Sequence, residues 1–457
     1  MNLQERINVF LKDNTPADVY SGQISHYYAK YLQFLGIRDT VFVDHSAHHL
    51  IDSEGNRYLD LVAGYGSCHF GRHEKVRDAV RQAVDLQVPN LVQFSIPLLA
   101  TMLSSEILSY MDGRFQRLFY TNGGAEAVDY ALKMSRLYSG KSNVLCFKGC
   151  YHGLTLGALS VNGVAKHQKL FNTGCEQNIL PFNDTKQLEQ TLKRRHREIG
   201  GIIIEPVQGR TGEVATEEFV RGARELCDRY KLALIFDEIK TGFGRTGKNF
   251  FYDWYGIHPD IVTLAKGMSG GMTSVGAVAY REAVYKKVFS NIENIAVFSS
   301  TFKENNLAMS AGLAVMDIYR ENPGLNEQVQ ERERQLRKRL ENTDDRNFSL
   351  AVNGRGLLLT IALKEVKGKR VVQSLVDLIE GDLFYDKLCY RLFADKQILI
   401  SIPNRFGKSL AFIPALDIRA EDIDYFCDSL LEVLDDMLSQ SNLALLKETI
   451  SDARTVL

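Results

Sequence analysis

The chain has almost no charge bias and no long apolar run. Its 55 Lys and Arg residues nearly balance 56 Asp and Glu, for a net charge of −1. That argues against a protein that tracks nucleic-acid phosphates, which would show a basic excess. The basic run Lys193-Arg194-Arg195-His196-Arg197 closes a helical pattern that begins near Thr185, and it reads as a solvated helix face. No stretch approaches membrane-spanning length, and Met1–Arg6 is charged where a signal peptide would be followed by an apolar core. The seven cysteines are scattered and form no CxxC, so neither a disulfide framework nor a zinc site is expected. Cys146 and Cys150 bracket Gly149, but no partner pair completes a metal set. These absences point to a cytoplasmic protein in a reducing compartment, with no metal, membrane or nucleic-acid partner. With only nine prolines, domain boundaries are not sharply marked, and there is no repeat or low-complexity segment. What remains is ordinary globular composition, 45% hydrophobic and 24% charged, over 457 residues. That length suits two or three domains.

Residues 1–45 show little strand periodicity, and Tyr20, Tyr27, Tyr28 and Tyr31 suggest an interface or packing segment. Asp52–Asn56 is a turn signal between the apolar runs Val41–Val43 and Tyr58–Leu61, which predicts a hairpin. From about 75 to 325, helical patterns alternate with short apolar runs. The helices fall at Val76–Val84, Ala125–Tyr138 and Glu217–Tyr230. The strands fall at Arg117–Thr121, Val144–Phe147, Ile202–Ile204, Leu232–Phe236, Ile261–Leu264 and Val275–Tyr280. This alternation predicts an α/β fold with a mainly parallel sheet covered on both faces, and ligands in such folds sit at the carboxyl ends of the strands. A polar helix over Leu325–Leu340 leads into a C-terminal unit. There, strands are expected at Leu357–Leu363 and Leu410–Ile413, and helices at Leu383–Phe393 and Ile423–Leu438.

Two of the apolar runs end in residues able to do chemistry. Leu232–Phe236 ends on Asp237, and Ile261–Leu264 leads through Ala265 to Lys266 and Gly267. A carboxylate that pairs with a protonated pyridine and a lysine that forms a Schiff base are the two groups a pyridoxal phosphate site requires of its protein. Small apolar neighbours desolvate Lys266 and favour its neutral, nucleophilic amine. Taken singly, Lys266 also fits a strand-end lysine snorkelling to solvent, and Asp237 also fits a helix cap or turn. Thr121–Ala127 places Gly123 and Gly124 at a helix start, where free backbone N–H groups can cradle a phosphate or simply make a turn. Tyr151, between glycines in Phe147–Gly153, either stacks on a planar cofactor or belongs to a plain aromatic turn. Ile239 would point to the same side as Asp237 if the chain stays extended.

Together these segments resemble the class III aminotransferases of pyridoxal-phosphate fold type I. The matching motifs are Asn122–Ala127, Tyr151-His152-Gly153, Glu205–Gly209, Asp237–Gly247, Pro259–Gly267 and Ser300-Thr301-Phe302, spread over about residues 35–440. The resemblance implies a mainly parallel seven-stranded sheet sandwiched by helices, in a large cofactor-binding unit over 71–325. A smaller α+β unit would combine 326–457 with an N-terminal segment, 1–70. It implies that Lys266 forms the Schiff base and carries the proton between substrate and cofactor, and that Asp237 pairs with the pyridine nitrogen. Tyr151 and Ile239 would cover the two ring faces, and Gly123, Gly124 and Ala125 would hold the phosphate. Lys240 would lie near the ring hydroxyl. Thr301 would reach the phosphate of the other subunit's cofactor, which implies a homodimer with shared sites. Glu205, Tyr65 and Arg210 would face substrate. The activity implied is ping-pong transfer of an amino group between an amine or amino acid and a keto acid or aldehyde. An aminomutase, racemase or decarboxylase on the same scaffold, or an inactive cofactor-binding protein, are the alternatives.

Several positions depart from the family's pattern. Lys240 stands where the family commonly has Gln; a cation there either lowers the pKa of the cofactor's phenol or turns outward. Gly123 replaces a serine, Thr273 a proline, and Lys303–Asn306 a Gly-Gly-Asn-Pro run. Ala411 stands where many relatives carry an arginine that grips the substrate α-carboxylate, and a methyl cannot replace a guanidinium. Either Arg210, Arg355 or Arg405 supplies that contact, or one substrate is an ω-amine, an aldehyde or a specialised biosynthetic intermediate.

Overall fold

In the computed structural model the longest apolar runs lie side by side in one central sheet. The structure describes the whole chain except residues 93, 175, 292, 344–345, 367–381, 404–407 and 440–457. The first strands are β1 (Phe42–Ser46), β2 (His49–Asp52) and β3 (Arg57–Asp60). The central ones are β4 (Arg117–Thr121), β5 (Asn143–Phe147), β6 (Ile179–Leu180), β7 (Ile199–Ile204), β8 (Ala233–Asp237), β9 (Ile261–Leu264) and β10 (Gly276–Tyr280). Four more follow: β11 (Phe348–Arg355), β12 (Leu358–Val366), β13 (Ile398–Leu399) and β14 (Leu410–Phe412).

The central sheet has seven strands in the order β4-β10-β9-β8-β7-β5-β6. Strands β6, β5, β7, β8 and β9 pair in parallel, whereas β10 is antiparallel to both β9 and β4. Every residue of β7, β8, β9 and β10 is buried, as expected of strands covered on both faces. Helices Gly124–Ser139 and Glu217–Tyr230 supply part of that cover with buried apolar residues such as Ala127, Val128, Phe219 and Ala223. Thr216 starts the second of these by accepting from Phe219 N at 3.2 Å.

Two smaller sheets lie outside this core. One is β1-β2-β3-β13, the other β11-β12-β14. The Asp52–Asn56 turn joins β2 to β3, with Asp52 accepting from the backbone of Glu54 and Asn56, and not the Val41–Val43 run to β3. An additional strand intervenes because the chain reverses at Ala47, whose φ of +48° makes a tight turn without glycine or proline. Residues 1–45 hold three helices, Leu3–Asp13, Pro16–Gln23 and His26–Phe34, the first closed by a capping box between Asn2 and Glu5. The strand β11 and the helix Asn306–Glu321 also lie beyond the sequence expectation. The described cysteines are free and buried, and Cys175 falls outside the described residues. Among the described residues, no helix is long and apolar enough to cross a membrane.

One ion-pair cluster ties the first sheet to the C-terminal helix Ala420–Ser439. His48, buried in the β1–β2 turn, bonds Asp422 through Nδ1 at 3.1 Å and Asp417 through Nε2 at 3.3 Å. Burial alone would lower the imidazole's pKa, but the bonds to Asp417 and Asp422 outweigh it and raise it from 6.5 to about 9. A raised histidine stabilises the fold fully below its unfolded value and loses that contribution as pH climbs through the folded one. We therefore expect unfolding free energy to fall by about 2 kcal/mol between pH 6 and pH 9.5, less than the full linkage value because half-exposed Asp417 is screened. Urea titrations at the two pH values check this, and His48→Gln should flatten the difference.

Candidate active site

The carboxyl ends of β7, β8 and β9 open into one cavity of about 1130 Å³. Its wall includes Tyr65, Gly123, Gly124, Ala125, Tyr151, Glu205, Arg210, Asp237, Ile239, Lys240 and Lys266. Eleven of the twelve residues to which the resemblance assigns a role thus share a single space. The exception is Thr301, which is exposed and off the wall.

Asp237 ends β8 and is 3% exposed. One carboxylate oxygen lies 2.6 Å from His152 Nδ1. The other accepts from Thr263 Oγ1 at 3.0 Å and from Ile239 N at 3.1 Å. Burial opposes a charge on His152, yet neighbouring Cys150 and the bond to Asp237 together hold the imidazole's pKa well above its ordinary value. Sequence reasoning quoted His152 within a motif but gave it no role. Its partner lies far along the chain, so the only local signal was a histidine beside the ring-stacking candidate.

Lys266 follows β9 with φ +44°, a left-handed backbone that non-glycine residues adopt at a cost of about 1 kcal/mol or more. The next position must be glycine: a Cβ on Gly267 would stand 2.2 Å from the His69 ring. The ring is held in place by Tyr319, whose hydroxyl lies 2.8 Å from His69 Nδ1 and donates to Phe243 O at 2.7 Å. Burial lowers the pKa of Lys266, and the Asp237 charge works in the opposite direction. A neutral amine is thereby easier to reach than on a solvated lysine.

The helix Gly124–Ser139 begins at Gly123 with no side-chain cap. Glu126 turns back instead and accepts from Asn122 N at 2.7 Å and Asn122 Nδ2 at 3.0 Å. The helix-start amides therefore face the cavity with the positive end of the helix dipole behind them. An uncapped helix start, a buried carboxylate and a desolvated lysine on one wall fit the phosphate, ring nitrogen and aldehyde of pyridoxal phosphate.

Beyond β8, Glu205 is 5% exposed and braces two loops. It accepts from Tyr151 N at 3.0 Å and Gly209 N at 2.8 Å. Burial raises its pKa. Lys240 Nζ donates to Gly209 O at 3.3 Å. Arg210 stands 5.8 Å from the Tyr151 ring centroid, in cation–π range. Tyr65, 60% exposed, marks the mouth.

Ala411 is not on this wall. It is buried in β14, opposite Thr360, within an apolar cluster with Val207, Phe251, Leu358 and Ile413. Arg355 is also off the wall and packs its guanidinium 4.4 Å from the Trp254 ring centroid. Arg405 lies outside the described residues. Among the described residues, Arg210 is the arginine on the cavity wall.

Comparison with known proteins agrees with this geometry. The family described as aminotransferase class-III matches residues 39–434. An acetylornithine aminotransferase from Methanocaldococcus jannaschii is 31% identical over 414 residues, which is 88% of this chain and 95% of that protein. The aminotransferase PigE from a Serratia species is 36% identical over 291 residues, but this chain spans only 34% of its length. In three dimensions, an adenosylmethionine-8-amino-7-oxononanoate aminotransferase from M. jannaschii shares the fold. Its TM-score is 0.77 at 24% identity, with 92% of this chain and 98% of that one covered. The chain belongs to the class III aminotransferases and is a pyridoxal-phosphate-dependent transaminase.

Proposed function

We propose that this enzyme takes its amino group from an ω-amine or a related specialised substrate and passes it to a keto acid or aldehyde, or runs that exchange in reverse. The observation that carries this is the wall itself: the position where an α-carboxylate clamp is expected is Ala411, buried in apolar packing away from the cavity. An amine end without a neighbouring carboxylate leaves nothing unpaired there. Arg210 beside Tyr151 then serves the carboxylate of the other substrate.

The protein's own groups divide the work as follows. When bound, pyridoxal phosphate supplies an electron sink for charge released at the substrate carbon. Asp237, fixed by His152, Thr263 and Ile239 N, keeps the ring nitrogen protonated. Lys266 holds and moves the proton at that carbon. The amides of Gly123, Gly124 and Ala125 anchor the phosphate, and Tyr151 and Ile239 exclude water from the ring faces. Thr301, exposed and off its own cavity, suits a role at a second copy's site, so the working unit in this reading is a homodimer. The free buried cysteines suit a reducing, cytoplasmic setting. The same reading divides the chain into a large unit, 71–325, and a smaller one from 1–70 and 326–457. Its support is that all seven central strands fall between Arg117 and Tyr280, whereas the two smaller sheets draw on Phe42–Asp60 and Phe348–Phe412.

The test is a half-reaction series. Carboxylate-free ω-amines should convert the bound cofactor to its amine form at least as fast as α-amino acids of similar length. The reverse order would sink the proposed donor class. Arg210→Met should raise KM for a keto-acid acceptor about 10–100-fold while leaving KM for the amine donor unchanged, because one charge-assisted pair is lost.

A further inference from the structure

A short strap of chain after β3 lies against the turn that carries Lys266, and its backbone is unusual. Ala63, Gly64, Tyr65 and Gly66 have φ of +43°, +60°, +54° and +81°. A left-handed backbone is unfavourable for any residue with a side chain, and here Ala63 and Tyr65 both adopt it. Such strain persists where the surroundings over-determine it. The strap is held at both ends by the segment that follows β14: Leu61 O accepts from Ile413 N at 3.0 Å, and His69 O accepts from Leu416 N at 2.6 Å.

The strap fits the lysine turn through two glycines. A Cβ on Gly271 would stand 2.5 Å from Cys68 Sγ. A Cβ on Gly267 would stand 2.2 Å from Cε1 of His69, 2.4 Å from Nδ1 and 2.5 Å from Nε2. Three contiguous ring atoms at nearly one distance put Gly267 over the face of the imidazole and not at its edge. Gly267 thus rests on a flat ring, one peptide bond from Lys266, whose own φ is +44°.

The ring is fixed and uncharged. His69 is 1% exposed. Tyr319 gives its single hydroxyl proton to Phe243 O at 2.7 Å, so toward His69 Nδ1, 2.8 Å away, its oxygen accepts and the imidazole donates. Tyr319 is wedged in turn between Phe70 and Tyr110, with ring centroids 5.1 and 5.2 Å away. Burial first, and the Arg245 charge second, hold the pKa of His69 well below its ordinary value, and Lys266 acts in the same sense. A neutral ring can lie beside an ammonium without repelling it.

We propose that His69 is a positioning residue of this enzyme: its ring is the floor that keeps the Lys266–Gly267 backbone in its left-handed turn and so aims the lysine amine. This rests on the reading of Lys266 as the Schiff-base lysine. Without the floor nothing compensates the unfavourable backbone at Lys266, and the turn relaxes. An amine displaced by about 1 Å loses about 10²-fold in rate.

The experiment separates aim from affinity. The full chain, freed of cofactor, is offered pyridoxal phosphate and pyridoxamine phosphate. Both present the same phosphate and ring, but only the first has an aldehyde with which Lys266 can form a C=N bond as water leaves. His69→Ala should slow that condensation, read as growth of visible absorbance, by about 10–100-fold. Its affinity for pyridoxamine phosphate should stay within about twofold of wild type, and kcat should fall while KM for the amine donor holds. His69→Asn keeps a planar, neutral donor toward Tyr319 and should restore most of the rate. Gly267 is not itself left-handed, so Gly267→Ala should be impaired by the ring alone; adding His69→Ala should then recover about tenfold. If His69→Ala fails to fold, Tyr319→Phe, which unpins the ring without removing it, carries the same comparison with a slowing of about 3–10-fold. An equal loss for both ligands, or an unchanged condensation rate, overturns the proposal. A wild type that binds pyridoxamine phosphate, yet whose Lys266 borohydride cannot fix to pyridoxal phosphate, would instead strike at the assignment of the lysine.

Discussion

Lys266→Ala is expected to abolish transamination, with kcat reduced about 10⁴-fold or more and the fold intact. No other wall residue among those described replaces the lost amine well. Lys240 is the second lysine there, but it leaves β8 and is tied to Gly209 O, so it meets a ring held at Asp237 from a different side. The substitution should cost little stability. Alanine and lysine both carry a Cβ, so the strain at φ +44° is shared, and a desolvated amine is removed. Three measurements check this together: steady-state rates, retention of cofactor through gel filtration, and thermal unfolding. Cofactor should dissociate freely from the variant, and borohydride should no longer fix it to the chain. A variant that retains a tenth of wild-type activity would end the assignment of Lys266.

Asp237→Asn should produce the next largest loss, about 10²–10⁴-fold in kcat, because an amide cannot hold a protonated ring nitrogen. The effect is not confined to chemistry. The carboxylate is also the partner of buried His152 at 2.6 Å, and the substitution leaves a charged imidazole without its counter-ion. Stability should fall by about 1–3 kcal/mol. His152→Asn in an otherwise native chain separates the two contributions: it should reproduce the stability loss while retaining more of the activity. Equal activities for the two variants would mean that the ring nitrogen does not need the charge.

The site was far more legible than the loops around it, and the reason is physical. Asp237 and Lys266 each close a run of buried residues, so the end of the apolar pattern fixes where the side chain emerges. The glycine pair before a helical pattern was a weaker signal, because it fits a simple turn as well as a phosphate cradle; its place on the cavity wall is what the structure adds. Contacts across the chain were not. Nothing near His152 says that it meets Asp237, and nothing near Ala411 says that β14 turns it into apolar packing instead of the cavity. The β1–β2 reversal at Ala47 carries no turn residue, so a three-stranded meander looked like a hairpin. Strand β11 did carry a signal, since Phe348, Leu350 and Val352 alternate with less buried neighbours, but that alternation was passed over between two stronger patterns.

The position of β10 has a consequence for how a ribosome-borne chain matures. Strand β4 is made early, yet its one sheet neighbour is β10, more than a hundred residues downstream. Until Gly276–Tyr280 emerges and slots between β4 and β9, the helix start proposed to receive the phosphate has no rigid anchorage relative to Lys266. Closing so long a loop is slow and entropically unfavourable. A nascent chain halted before Gly276 should therefore hold the lysine and the acid in a formed parallel core and still be unable to capture the vitamin.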